Sequence, residues 1–169
     1  IARMADPNDM TRVYAWPLQE EQELIGHSVR YTYYLDGGQP YLSDITYWFD
    51  ADKMNPMYTI RFDYITKSAS LTSYRTQFEI TTWKLLRSIS LIVWWKTIRG
   101  YDFTYDDPDN PISHLTSIAE AAENMSLPSV DFSYGEGQYS HLIHAIDNNR
   151  GWIAHFSYSP STQYVTHSG

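Results

Sequence analysis

Cysteine is absent from the 169 residues. That excludes a disulfide framework, thiolate catalysis and any zinc site built on sulfur. Basic residues are scarce too: 12 Lys and Arg stand against 20 Asp and Glu, a formal charge of −8. Nucleic-acid binding depends on cations that neutralise phosphates, and no basic run is present, so nucleic acid is not an expected partner. The acidity is read as a source of solubility. The longest apolar run, Ile89 to Trp95, is broken by Ser90. It is too short to span a bilayer as a helix, and no membrane association is expected. There is no glycine-rich phosphate loop, no G-x-S-x-G elbow and no HExxH. Nucleotide cofactors and serine hydrolysis therefore have no support, and neither a cofactor nor a metal is expected.

What the chain has in quantity is aromatic surface. It carries 15 Tyr, 6 Trp and 6 Phe, with a charged fraction of only 19%. Such residues favour strands, and Tyr and Trp also line apolar pockets, where each offers a flat face and one polar handle. The length suits one domain. Residues 1–23 read as an N-terminal extension that is polar from Asp6 onward and is not a signal peptide. Ile1 to Arg3 read as a non-native remnant before a natural start at Met4. Residues 24–169 read as the folded domain, with a cytoplasmic setting. The sequon Asn124-Met125-Ser126 is read as chance.

Turn residues divide the domain into strands. Val29–Leu35 ends at Asp36-Gly37-Gly38, and Tyr41–Phe49 ends near Asp50–Pro56. Tyr58–Thr66, Tyr74–Trp83 and Ser88–Ile98 follow. Gly100 reads as a break before Tyr101–Tyr105. Asn110 is a good N-cap and Pro111 a good first helical residue. Ile112, Leu115, Ile118 and Ala122 then fall on one helical face, which predicts a helix over about 111–125. A last hairpin joins Gln138–Ile146 to Trp152–Tyr158. Strands plus one helix predict a mainly β, antiparallel barrel with one helix.

Several segments resemble the phenolic acid decarboxylases and the related MoaF-like calycin domains, which are lipocalin-type barrels. Leu24-Ile25-Gly26, four residues, then Tyr31-Thr32-Tyr33 is similar to that family's first strand. Tyr58-Thr59-Ile60-Arg61 lies where the family carries an inward arginine. Trp95 to Gly100 with Asp102-Phe103-Thr104 is similar to its tryptophan-to-glycine turn and next strand, and the helix and Pro128-Ser129-Val130 follow in a compatible order. The resemblance thinly covers the middle two thirds of the chain. It departs at the family's proton-transfer glutamate, where Thr97 stands after Lys96. The segment from Arg61 to Trp95 is longer, and the sequence ends at Gly169, just after a strand-like Tyr164-Val165-Thr166.

The resemblance implies a lipocalin-like site in which Tyr31 and Tyr33 donate to a developing oxyanion and Arg61 fixes an acidic group. Spacing alone puts the two tyrosines on one strand face and favours ordinary core aromatics; with the resemblance the two readings are equal. Alternation puts Arg61 beside Thr59 and Asp63, which also suits an exposed arginine. Trp48, Tyr58, Trp94, Trp95, Thr97, His144 and His155 are the candidate lining residues. The other histidines, His27, His114, His141 and His167, read as polar rim positions. The resulting expectation is a cofactor-free lyase, isomerase or cyclase, pericyclic chemistry included. It would act on a conjugated, phenolic or polyketide-like molecule in natural-product metabolism, and a homodimer is compatible with it. The alternatives are a phenolic acid decarboxylase proper, a non-enzymatic carrier of a hydrophobic ligand, and a subunit whose exposed aromatics serve protein contacts.

Overall fold

The computed structural model describes residues 3–49, 55–107, 109–123 and 125–160, and of Trp48 and Phe49 only the backbone. Thirteen strands are present among these residues. β1 (Met4–Asp6) and β2 (Asp9–Ala15) form a separate hairpin. The others are β3 (Glu20–Gln22), β4 (Ser28–Asp36), β5 (Gln39–Phe49), β6 (Pro56–Ser73), β7 (Ile80–Val93), β8 (Lys96–Tyr105), β9 (Leu115–Ala122), β10 (Met125–Ser126), β11 (Val130–Tyr134), β12 (Ile143–Asp147) and β13 (Ile153–His155). They make one antiparallel sheet in the order β3-β4-β5-β6-β7-β8-β9-β11-β12-β13, with β10 beside β9. The chain is mainly β, as its aromatic and β-branched runs predict. The sheet is open: β3 and β13 are its edges, and no closed barrel forms among the described residues.

The expected helix over 111–125 is not formed. Asn110 does act as a local cap, its Oδ1 accepting from the Ile112 N–H at 3.0 Å, but the turn does not propagate. Leu115–Ala122 instead pairs with β8 on one side and β11 on the other. Two ladders satisfy its backbone, which overrides a helical periodicity resting on only four apolar residues. Three boundaries also move. Tyr74–Glu79 is the turn before β7. Gly100 does not break the chain; it lies within β8, opposite Ser90 and Ala121. The break falls at Trp94-Trp95, between β7 and β8. Gln138 and Tyr139 belong to a single 3₁₀ turn, so the last hairpin starts at Ile143. The turn around Asp50, Asn124 of the sequon and the segment Tyr164–Thr166 lie outside the described residues.

Cross-strand partners share a face, so the register separates the sheet into two surfaces. Val29, Tyr47, Tyr58 and Val93 form one row, and Tyr31, Ile45, Ile60 and Leu91 the next. Phe62, Ile89 and Tyr101 form a third, followed by Phe103, Ile118 and Val130. The opposite face carries Thr32, Asp44, Arg61 and Ser90 in one row and Asp63, Ser88 and Asp102 in another. An antiparallel sheet patterned this way ordinarily packs its apolar face on a core. Here every one of those apolar residues is only half-buried, and no second sheet or helix covers them among the described residues.

The buried core sits elsewhere. Ala5, Tyr41, Phe78 and Ile80 are the buried hydrophobic residues among those described, and they gather where the β1–β2 hairpin caps one end of the sheet. Gly38 belongs to this contact. Its φ is +78°, and a Cβ there would lie 2.9 Å from Ile80 Cδ1 and 3.3 Å from the Ala5 carbonyl. At the same end the sheet curls. The Thr81 N–H donates to the Gly37 carbonyl at 3.2 Å, joining the end of β4 to the start of β7. Arg12 fastens the cap, its guanidinium reaching Asp6 at 2.9 Å and the Gln77 carbonyl at 2.9 Å.

Candidate functional site

Strand alternation decides the fate of the expected tyrosine–arginine site. Tyr31 and Tyr33 share a face of β4, and Tyr31 lies in the apolar rows. Its hydroxyl donates to Glu21 on β3 at 3.2 Å. Burial first, and then that carboxylate, push the phenol above its usual range. Arg61 pairs in register with Asp44, which faces Thr32, so the arginine lies on the opposite surface. It is exposed and held by Asp44 at 3.0 Å. The three residues therefore do not share a cavity. The one-residue offset between Tyr31 and Thr32 in the ladder puts the arginine across the sheet.

The lining candidates are dispersed in the same way. Tyr58 stacks on Tyr47 at 4.9 Å on the apolar face. Trp48 lies on β5, with its side chain outside the described residues. Thr97 is exposed on the polar face, opposite Ile92. His144 and His155 meet edge to face at 6.1 Å near the β13 edge. Trp94 and Trp95 are the two residues of the β7–β8 turn, 54% and 78% exposed. Their φ values of +45° and +71° belong to a turn that normally takes Asn-Gly, and bulky side chains there are strained.

Two arrangements escaped sequence reasoning. The first is a tyrosine corner in the curled end of the sheet. Tyr34 stacks on Tyr41 at 5.4 Å, and Tyr64 meets both edge-on. The Tyr64 hydroxyl donates to the Leu42 carbonyl at 2.9 Å, and burial raises the Tyr34 and Tyr64 phenols. The open hollow beside it, lined by Tyr34, Ser43, Asp44, Arg61 and Tyr64, has a volume of about 290 Å³.

The second is a relay of hydrogen bonds at the same end. Asp106 Oδ2 lies 2.7 Å from His114 Nδ1, and His114 Nε2 lies 2.8 Å from His141 Nδ1. The other Asp106 oxygen accepts from the backbone N–H groups of Asp107 and His114. Burial acts to raise the Asp106 carboxyl, but the His114 side chain and these N–H groups outweigh it and hold it below its usual value. The Tyr134 ring sits 4.5 Å from His114. His114 and His141 are 27 positions apart and become neighbours only through the β9–β11 pairing, so no local spacing pointed to them.

No family model matches the chain, and no curated protein matches it. Solved structures do. It superposes on a chain of the TcdB2–TccC3–Cdc42 crystal structure with a TM-score of 0.71 and 16% identity, over 80% of its own length and 9% of that chain. A chain of the Photorhabdus luminescens Tc holotoxin pore gives 0.68, 17%, 80% and 9%. The N-terminal domain of the effector protein SpvB from Salmonella typhimurium strain LT2 gives 0.64, 18%, 73% and 55%. The chain thus spans about a tenth of the Tc toxin chains and about half of the SpvB chain. At these identities the likeness is one of fold: an open, antiparallel, many-stranded sheet that recurs in longer polypeptides.

Proposed function

We propose that this chain is an assembly module, a sheet whose apolar face is built to be covered by other protein surface. One observation carries the reading. The rows from Val29 to Val130 form an ordered apolar surface that nothing among the described residues covers. The cost shows in the whole surface. The chain exposes 11747 Å², whereas a compact monomer of this size exposes about 8,600 Å². Monomers rarely leave contiguous apolar patches beyond a few hundred Å² without an interaction to serve. The strained, exposed Trp94-Trp95 turn is in keeping with this, since tryptophan is a frequent anchor of protein interfaces. The related folds named for Tc toxin complexes and for SpvB also lie within longer chains, and a comparable place within a larger toxin-like protein is part of the proposal.

The test is site-directed photocrosslinking in the protein as its own host makes it. A crosslinker at Phe103 on the apolar face should give defined protein–protein products, and one at Asp102 on the polar face should give none. Equal products from both positions, or none from Phe103, would overturn the reading.

A second reading rests on the tyrosine corner. The Gly37–Thr81 hydrogen bond brings the end of β4 to the start of β7 beside Tyr34, Tyr41 and Tyr64, which supports a pocket there. Such a pocket suits a conjugated or phenolic ligand, held for carriage or for cofactor-free lyase or isomerase chemistry. A bound aromatic compound found by native mass spectrometry, and lost in Tyr64→Phe, would favour it.

A further inference from the structure

Asp106 immediately follows β8, His114 immediately precedes β9, and His141 lies in the turn that leads into β12. Each connection is closed at its own neck. Asp106 N–H donates to the His114 carbonyl at 3.1 Å, and Gly135 N–H donates to the Leu142 carbonyl at 2.9 Å. The imidazole–imidazole hydrogen bond joins the two connections to each other. His114 is the enclosed partner, its side chain 16% exposed, whereas His141 is exposed.

We propose that Asp106, His114 and His141 form a proton-operated latch between the 106–114 and 135–142 connections, tightened by a first proton and opened by a second. The geometry sets the order. With Asp106 ionised, His114 donates from Nδ1 to the carboxylate and presents a lone pair at Nε2, to which His141 donates from Nδ1. That leaves His141 Nε2 as the free acceptor, and imidazoles exchange protons between about pH 5 and 8. The first proton binds there. It turns a neutral hydrogen bond into a charge-assisted one, with the Asp106 charge beyond it and the Tyr134 ring against His114. The second proton must go to His114 Nε2. It removes the acceptor, sets two cations face to face and breaks the join.

Most other charged and titratable groups on the elements that meet here have partners of their own. Lys67, buried in the β6 bulge, donates to the Pro111 carbonyl at 2.7 Å. Asp109 accepts from the Ser68 hydroxyl, and the Asp107 carboxylate accepts from the Asp109 N–H. The Tyr134 hydroxyl donates to the Leu115 carbonyl. Glu136, at the start of the 135–142 connection, is exposed and makes no side-chain cap.

Hydrogen–deuterium exchange of the 135–142 amides in the intact protein tests the latch, with rates corrected for the intrinsic effect of pH. Protection should rise about tenfold from pH 8 to pH 6, the gap between a neutral and a charge-assisted bond, and fall again below about pH 5, where imidazoles are fully charged. His141→Asn keeps a donor at the Nδ1 position toward His114 but takes up no proton, so it should retain the pH 8 protection and lose the rise. His141→Leu should lack both. His141 is exposed, so neither variant disturbs packing. Protection that is flat from pH 8 to 5, or that already falls between pH 8 and 6, would overturn the proposal. So would the native profile in His141→Leu.

Discussion

Trp94 and Trp95 show what a single backbone position can reveal. The turn between Val93 and Lys96 has room for two residues, both with positive φ. Each L side chain held in that region costs roughly 1–2 kcal/mol. Replacing the pair by Asn-Gly should therefore raise the chain's unfolding free energy by about 2 kcal/mol, read from denaturant midpoints. Under the assembly reading, the same substitution should weaken docking. A stabilised variant that also docks normally would separate the tryptophans from the interface. Asp131 makes a second prediction at this scale. Asn149, Ser117 and Ser129 hydrogen-bond its carboxylate and hold its pKa below the usual aspartate value. A depressed carboxylate adds stability that is fully present above its unfolded value of about 3.9 and is lost as pH falls through the folded value. The advantage of the native chain over Asp131→Asn in urea midpoint should thus be constant from pH 7 to 5 and shrink below pH 4.

Elements were legible in the sequence to the extent that their periodicity was local. β4, β5 and β6 announce themselves by aromatic and β-branched runs between turn formers. β9 does not: Leu115, Ile118 and Ala122 fit a helix on paper, and only pairing with β8 and β11, distant in sequence, decides for a strand. The site was less legible. That Tyr31 and Tyr33 share a face follows from one strand, whereas the place of Arg61 depends on the β5 register, which no residue count supplies. The Asp106–His114–His141 relay depends on two connections at once. Glycines mark another limit. Gly26 and Gly38 look alike in sequence, and both have positive φ, but a Cβ at Gly26 meets nothing within 4 Å while one at Gly38 strikes Ile80. Gly26→Ala should cost only the backbone strain, about 1 kcal/mol, and Gly38→Ala about 2 kcal/mol or more, because the β1–β2 cap must also shift. Equal losses in thermal or chemical unfolding would mean that the cap does not press on Gly38.

On the scale of the molecule, stability and exposure are unevenly distributed. One end of the sheet is capped, curled and tied by Arg12, Lys67 and the His114 relay, while the broad apolar face is only half-buried. A large apolar side chain truncated in a packed core costs about 2–5 kcal/mol, because transfer and cavity terms add. On a bare face the cavity term vanishes, and part of the transfer term is already forfeited to water. Ile80→Ala should therefore destabilise the isolated chain by at least 2 kcal/mol, since Ile80 is 5% exposed in the cap. Leu91→Ala, in the centre of the apolar rows, should cost the isolated chain about 1 kcal/mol or less. Covered by a partner surface, Leu91 becomes a core residue, and the same substitution should then cost as much as Ile80→Ala. Comparing both variants in the isolated chain and in the protein assembled by its own host separates the cases. A Leu91→Ala cost that is small alone and large in the assembly supports an assembly face. A cost that is already large in isolation would mean that the chain covers this face by itself, and the docking role would fall with it.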